Sequence, residues 1–124
     1  MKVTKIQKII ILNNSNQWLG YKIKMTDSSK NIICKIDNNQ QCCENFGVYT
    51  ENELNDFIGA EYYSVIVEND SLNDSDYNDN MEKIKICINT SKGEINILFY
   101  NEHNGYYCHD LFIQTENGIK NIYL

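Results

Sequence analysis

The chain has 124 residues and carries 17 acidic side chains against 11 basic ones, a formal net charge of −6. This length predicts one domain with one core, and no run of apolar residues approaches the roughly 20 that a membrane-spanning helix needs. The excess of negative charge argues against direct nucleic-acid binding, in which neutralisation of phosphates dominates the affinity. We therefore expect a single domain over residues 1–124, located in the cytoplasm, without nucleic-acid or membrane partners.

The N-terminal third of the chain predicts three β-strands. Residues 5–13 contain a run of β-branched side chains, which favours a strand, although some of the isoleucines also fit helical spacing. Residues 18–26 alternate apolar and polar side chains, as a half-buried strand does. A turn cluster at residues 27–30 then leads into a third strand at residues 31–37.

One short helix is predicted in the middle of the chain. Thr50 and Glu53 have the spacing of a capping box, in which each side chain accepts a hydrogen bond from the other residue's backbone N–H. Leu54 and Phe57 would form the apolar face, and Gly59 is a typical C-terminal stop. The pattern predicts about two helical turns that pack on a sheet.

The second half of the chain again predicts strands. Residues 61–68 and 83–89 alternate between apolar and polar side chains. Residues 94–100 are apolar on both faces, which is typical of a strand at a central position. We expect these three strands to lie in one antiparallel sheet.

The end of the chain predicts a tight hairpin. Asn104 and Gly105 tolerate the positive φ angles of a two-residue turn, which would join the strand that ends at residue 100 to a strand over residues 106–114. Gly118 precedes a final short strand. The predicted fold class is α+β, a predominantly antiparallel β-sheet of about seven strands with one short helix packed on a face.

The acidic charge is concentrated in one segment. Residues 68–82 contain six acidic side chains and no lysine, so the remaining eleven acids equal the eleven basic residues. Within this segment residues 69–80 are rich in Asn, Asp and Ser and predict a mobile acidic loop. The candidate contacts with a protein partner are Glu68, Asp70, Asp74, Asp76, Asp79 and Glu82.

Cysteine and histidine residues do not form a recognisable metal or disulfide pattern. The adjacent pairs Cys42–Cys43 and Cys108–His109 lack the two-to-four-residue spacing of zinc ligands, and an odd cysteine count argues against a disulfide framework. We expect no metal and no cofactor. A Cys/His hydrolase that uses Cys43, His109 and Asp110 stays as an alternative to a non-catalytic protein, because a thiol, an imidazole and an acid are the parts of a cysteine nucleophile.

Aromatic and amide side chains supply the best candidate for a ligand site. Tyrosine offers a flat stacking surface with a polar tip, asparagine offers a donor and an acceptor, and lysine can meet a phosphate. The alternative is that the tyrosines belong to the core and the Asn-Gly pair serves only the turn. The predicted ligand-binding residues are Lys22, Lys24, Tyr100, Asn101, His103, Asn104, Tyr106 and Tyr107.

Three short segments carry a resemblance to a known family. They are QCCE at residues 41–44, FIG at residues 57–59 and NGYY at residues 104–107. Over roughly residues 23–114 this pattern resembles a family of small phage and bacterial proteins that is classed as a domain of unknown function. The resemblance implies a fold and a setting among phage accessory proteins, and it implies no catalytic residues.

These observations predict a binding function. We expect a non-catalytic, phage-type counter-defence protein that binds and sequesters a small, nucleotide-derived immune signalling molecule of the host. The alternative is an acidic, anti-CRISPR-like inhibitor that docks on a host defence protein through residues 68–82, with electrostatic attraction speeding the encounter. An exposed edge strand or aromatic patch in so small a protein favours a homo-oligomer.

Overall fold

The computed structural model describes residues 1–12, 17–37, 45–69, 80–103 and 109–123. Over these residues the chain forms nine β-strands and two single turns of 3-10 helix, at Ser28–Lys30 and Leu54–Phe57. The strands are β1 (Val3–Leu12), β2 (Gln17–Met25), β3 (Ile32–Asp37), β4 (Asn45–Tyr49), β5 (Tyr62–Asn69), β6 (Asn80–Thr90), β7 (Gly93–His103), β8 (Asp110–Thr115) and β9 (Gly118–Tyr123).

The strands form two antiparallel sheets around one core. One sheet has five strands in the order β1-β2-β3-β8-β9, and the other has four in the order β4-β7-β6-β5. Buried side chains of both sheets belong to a single hydrophobic cluster. The prediction of a predominantly antiparallel β protein is confirmed, and β1 is a strand over its whole described length rather than a helix.

The alternation of side chains decides which face of each strand is buried. In β3, Ile32, Cys34 and Ile36 have no exposed surface, while the residues between them are half-buried. Strand β7 follows the same rule with Ile95, Ile97 and Phe99 in the core. Because successive side chains of a strand point to opposite faces, the intervening residues form the outer faces of the two sheets.

The predicted α-helix is not confirmed, and the described residues are all-β rather than α+β. Leu54–Phe57 makes a single 3-10 turn, and Glu53 before it forms no side-chain capping bond. The hydroxyl of Thr50 donates instead to the carbonyl oxygen of Asn96 in β7, at 2.6 Å. The Thr50 side chain therefore holds this segment against the edge of β7 and does not cap a helix.

Strand β4 was missed by the sequence analysis. It pairs with β7, and Phe46 and Val48 pack against the core. The strand has only five residues, with Gly47 at its centre, and glycine is depleted in strands because it has no side chain to pack. So short an alternation does not stand out from a loop.

The predicted hairpin between residues 100 and 106 was wrong, because β7 and β8 lie in different sheets. Strand β7 pairs with β4 and β6, and β8 pairs with β3 and β9. Both edges of β7 are thus occupied, so the chain after β7 crosses from one sheet to the other. Residues 104–108 themselves lie outside the described residues, as do residues 70–79 of the predicted acidic loop.

Gly59 performs a different role from the predicted helix stop. Its φ angle is +86°, in the left-handed region, and its N–H donates to the carbonyl oxygen of Val3 at 2.7 Å. The reversal brings the residues that lead into β5 beside the start of β1, where the N–H of Val3 donates to Ala60 at 2.9 Å. In the parts of the chain that the structure describes, no helix has the length and apolar character needed to cross a membrane.

Candidate functional site

The predicted ligand-binding residues lie on different surfaces of the fold. Tyr100 is half-buried on the outer face of the four-stranded sheet, whereas Asn101 is fully buried and faces the core. Lys22 and Lys24 lie on the outer face of the five-stranded sheet, so the structure does not bring them to Tyr100. The side chain of His103 and all of Asn104, Tyr106 and Tyr107 lie outside the described residues.

His109 belongs to the core. Its side chain is 1 % exposed, its ring stacks on Phe46 with centroids 3.7 Å apart, and its Nδ1 lies 2.8 Å from the carbonyl oxygen of Asp37. Asp110, the next residue, is exposed, and Cys43 lies outside the described residues. The described members of the Cys/His alternative therefore do not share an accessible site. Among the described residues no cluster of three or more His, Cys, Asp or Glu side chains could hold a metal ion.

The acidic segment lies between two paired strands. Strands β5 and β6 pair as far as Asn69 and Ile84, so the segment connects the ends of a hairpin. Glu68 is exposed in β5 and lies opposite Lys85 of β6. The other acids predicted for partner contact fall outside the described residues or have undescribed side chains: Asp70, Asp74, Asp76, Asp79 and Glu82.

A cleft of about 300 Å³ lies on the outer face of the four-stranded sheet, and we call it the outer cleft. Ligand pockets span roughly 300 to 1,000 Å³, so this volume suits a small molecule. The lining comes from β4, β6, β7 and the segment after β4. Its residues are Tyr49, Thr50, Glu51, Asn52, Lys83, Lys85, Asn96 and Leu98.

Strand register sets aromatic, apolar and cationic side chains side by side in the outer cleft. Leu98 of β7 pairs with Tyr49 on one side and with Lys85 on the other. Two residues along the same face, Tyr100 pairs with Lys83. The two lysines thus lie on the β6 side of Leu98 and Tyr49 lies on the β4 side. Tyr100 belongs to β7 itself and lies directly beside Lys83. Because Lys83 and Lys85 project from the same face of one strand, both ammonium groups can approach one anion.

The two tyrosines form an aromatic wall. The rings of Tyr49 and Tyr100 have centroids 5.9 Å apart and planes at 60°, an edge-to-face contact. A Cβ atom at Gly47 would lie 3.1 Å from the hydroxyl oxygen of Tyr100, so the ring of Tyr100 crosses directly over this glycine. Tyr49 is 43 % exposed and therefore offers ring surface to a planar ligand.

Beyond the end of β4, side chains of the following segment form hydrogen bonds with the edge of β7. They fix this end of the outer cleft. The hydroxyl of Thr50 donates to the Asn96 carbonyl, and the Asn96 N–H donates to Oδ1 of Asn52 at 2.8 Å. Nδ2 of Asn52 also donates to the carbonyl oxygen of Glu94 at 3.3 Å. These bonds fix the backbone of the segment after β4, so Glu51, which is exposed, stands at the cleft.

Asn96 and Cys87 form the next cross-strand pair beyond the lysines. Burial raises the pKa of the Cys87 thiol, the ammonium of Lys85 lowers it, and the carboxylates of Glu68 and Glu94 raise it. The thiol is therefore held in its protonated form, which is a poor nucleophile.

Oδ1 of Asn96 is buried and has no hydrogen-bond partner among the described residues, an arrangement that costs roughly 1–3 kcal/mol.

The family model described as Domain of unknown function (DUF7448) matches residues 2–113 of the chain. The chain belongs to this family. The matched region covers every residue that lines the outer cleft, and it confirms the unknown-function family that the sequence pattern indicated. No curated protein and no solved structure matches the chain.

Sequence reasoning found Tyr100, whose ring contacts Tyr49 of the outer cleft, and missed all the residues that line the cleft. The signal for Lys83 and Lys85 was present, since two lysines two residues apart alternate with buried isoleucines, but the pattern is also typical of a solvated face. Tyr49 could not be placed without knowing that β4 exists and pairs with β7. The cleft depends on strand order, which no local pattern contains.

Proposed function

We propose that the protein binds a small, nucleotide-type molecule in the outer cleft and holds it without transforming it. The observation that carries this proposal is the placement of Lys83 and Lys85 on one side of Leu98 and of Tyr49 on the other, with the Tyr100 ring in contact with that of Tyr49. An ammonium pair is suited to a phosphate, and an exposed tyrosine ring is suited to a base or another planar group. One compact ligand can meet both.

The chemistry of the outer cleft limits the ligand further. Lysine binds phosphate as a point charge rather than through the bidentate fork of arginine. We therefore expect the cleft to recognise the negative charge of a phosphate and to discriminate little between phosphates in different orientations. The cleft volume of about 300 Å³ suits one base with one phosphate better than a cyclic dinucleotide. Glu51 at the cleft would repel a second anionic group and can accept a hydrogen bond from a sugar hydroxyl.

The biological role that we propose is sequestration. A phage-type counter-defence protein of this kind would lower the free concentration of a host immune signal by binding it stoichiometrically in the host cytoplasm. Support comes from the phage setting that the QCCE, FIG and NGYY segments imply and from the small-molecule size of the outer cleft. Sequestration requires a dissociation constant below the ligand concentration. It also requires that unchanged ligand can be recovered from the complex.

Calorimetric titration with the common nucleoside monophosphates, each beside its nucleoside, tests the proposal. We expect one ligand to bind in a stoichiometric ratio, and its nucleoside to bind at least about 10-fold more weakly, because a hydrogen bond to a charged group contributes roughly 1.5–3 kcal/mol. The double variant Lys83→Ala/Lys85→Ala should weaken binding by about the same factor. Ligand released by heating should chromatograph as the compound that was added.

The matched control is Lys22→Ala/Lys24→Ala, which removes two lysines with the same spacing from the other sheet. Binding should be unchanged in this variant. Loss of binding here, with full binding in Lys83→Ala/Lys85→Ala, would place the phosphate on the five-stranded sheet, as the sequence analysis predicted. If no member of the panel binds to the wild-type protein, the proposed function is wrong.

A further inference from the structure

A second surface of interest lies on the outer face of the five-stranded sheet. Trp18, Lys35 and Phe112 belong to the adjacent strands β2, β3 and β8. Nζ of Lys35 lies 4.7 Å from the ring centroid of Trp18 and 5.1 Å from that of Phe112. Cation–π attraction of this kind holds a charged group between two rings, so the three side chains form one ordered cluster.

Further lysines extend this cluster along β1 and β2. Lys24 pairs with Lys5 across the two strands, and Lys22 lies two residues from Lys24 on the same face. The acidic residues of this face lie at the end away from Lys24: Asp37 is the cross-strand partner of Trp18, and Asp110 is the first residue of β8. We call the surface the basic sheet face and define it by Lys5, Trp18, Lys22, Lys24, Lys35 and Phe112.

Gly20 lies between Trp18 and Lys22 on β2 and pairs with Lys35. A Cβ atom at this position would collide with the carbonyl oxygen of Cys34, so β2 and β3 can approach this closely only because residue 20 has no side chain. Between Trp18 and Lys22, therefore, no side chain of β2 projects from the basic sheet face. Lys35, the cross-strand partner of Gly20, places its ammonium over the Trp18 ring, so a base that stacks on this ring must displace the flexible lysine side chain.

We propose that the basic sheet face binds single-stranded nucleic acid. Lysines that follow a strand can meet successive phosphates, and aromatic rings on the neighbouring strands provide stacking platforms for unpaired bases. A flat sheet face cannot enter the major groove, which admits a helix or a two-stranded ribbon, so unpaired bases are favoured over a duplex.

The net charge of −6 does not oppose this binding mode. The Debye length is about 8 Å at physiological ionic strength, so exposed charges at a greater distance are largely screened. Strands β5 and β6, which the acidic segment connects along the chain, belong to the other sheet. The basic sheet face has four lysines against two acids, a local excess of positive charge that the average over the chain conceals.

Trp18 provides a direct probe because it is the only tryptophan of the chain. We expect an oligothymidylate of about ten nucleotides to quench its fluorescence. The affinity should fall with salt between about 20 and 200 mM, with a logarithmic slope of roughly −0.7 for each phosphate neutralised, so about −3 for four lysines. Lys22→Ala/Lys24→Ala should make this slope shallower by about 1.4. Phe112→Leu should weaken binding by roughly 5- to 150-fold, which corresponds to one lost stacking contact.

Lys83→Ala/Lys85→Ala is the matched control and should leave both the affinity and the slope unchanged. If Phe112→Leu unfolds, as circular dichroism would show, Phe112→Tyr replaces it and should retain binding because it keeps the ring. Absence of quenching at low salt, or an unchanged slope in Lys22→Ala/Lys24→Ala, would overturn the proposal. Equal quenching by polyglutamate of similar length would also overturn it, because the face would then recognise charge without bases.

Discussion

At the scale of single residues, Tyr62 joins the two sheets. It belongs to β5 of the four-stranded sheet, and its hydroxyl donates to Oε1 of Glu116 at 2.8 Å, in the turn between β8 and β9 of the other sheet. Oε2 of the same carboxylate lies 3.7 Å from Nζ of Lys30. Tyr62 is 8 % exposed and the Glu116 side chain is 29 % exposed, so this contact is partly shielded from competing water and contributes more than a fully exposed hydrogen bond.

Tyr62→Phe removes the hydroxyl and keeps the buried ring. A hydrogen bond to a charged acceptor contributes roughly 1.5–3 kcal/mol, and Glu116 keeps part of its solvation and its contact with Lys30. We therefore expect the free energy of unfolding to fall by about 1–2 kcal/mol, measured by urea titration. Tyr63→Phe is the control, because Tyr63 is 65 % exposed, and it should change stability by less than about 0.5 kcal/mol. Equal effects of the two substitutions would contradict the role of the Tyr62 hydroxyl.

At the scale of elements, the segment after β4 shows how one side chain selects between two structures. Thr50 and Glu53 have a helix-capping pattern, but the Thr50 hydroxyl is 2.6 Å from the carbonyl oxygen of Asn96. The Thr50 oxygen accepts from the N–H of Asn52 at 3.3 Å and not from the N–H of Glu53, as a capping box requires. Tertiary contact wins here because a helix of two turns has little stability of its own. The result is an edge of β7 that is covered by side chains instead of a strand.

Thr50→Val tests this arrangement with a change that keeps the shape of the side chain. The Asn96 carbonyl loses its partner, and we expect stability to fall by roughly 0.5–1.5 kcal/mol. Ligand binding in the outer cleft should weaken as well, because Thr50 and Asn96 both line it. Thr4→Val is the control: its hydroxyl donates to Lys24 at 3.1 Å at an exposed position, so its loss should have little effect. A Thr50 variant as stable as wild type in urea would contradict the argument.

The local patterns of the chain predict strands better than they predict how strands pair. Alternation identified β2, β5 and β6, because one face of each of these segments is apolar. A turn cluster before it marked β3, and apolar side chains on both faces marked β7. Asn104 and Gly105, which lie outside the described residues, suggested a hairpin, whereas β7 and β8 belong to different sheets. The outer cleft shares this limit, since Lys85 and Tyr49 meet only through β7. Pairing between distant segments depends on the whole fold and not on any one of them.

At the scale of the whole molecule, the two outer faces offer different chemistry. The outer cleft and the basic sheet face lie on different sheets, with the shared core between them. Substitutions more than about 7–10 Å apart with no common partner have additive effects. The lysine pairs 83/85 and 22/24 should therefore act independently, and each serves as the control for the other. Total charge describes neither face, because it sums over both.

The core also holds ionisable groups in their protonated forms, which makes the whole molecule sensitive to alkali. Cys34 is fully buried, its thiol donates to the carbonyl oxygen of Tyr21 at 3.5 Å, and burial raises its pKa from 9.0 to about 12. Burial likewise raises the pKa of Tyr62, and the Glu116 carboxylate adds to that increase. The unfolded chain releases these protons at lower pH than the folded chain does.

We therefore expect the free energy of unfolding to decrease as the pH rises above about 9, where the unfolded Cys34 thiol begins to ionise while the folded protein keeps its proton. The sign follows because the native state binds more protons than the unfolded state throughout the window from pH 9.0 to about 12. The contribution of Cys34 reaches roughly 4 kcal/mol at the upper end, at 1.36 kcal/mol for each pKa unit. Urea unfolding at a series of pH values should show a shallower decline in Cys34→Ala than in wild type. Cys34→Ala also loses stability at every pH because it leaves a cavity, but this constant loss does not affect the slope of stability against pH. Parallel slopes in the two proteins would show that the Cys34 thiol does not contribute to the loss of stability in alkali.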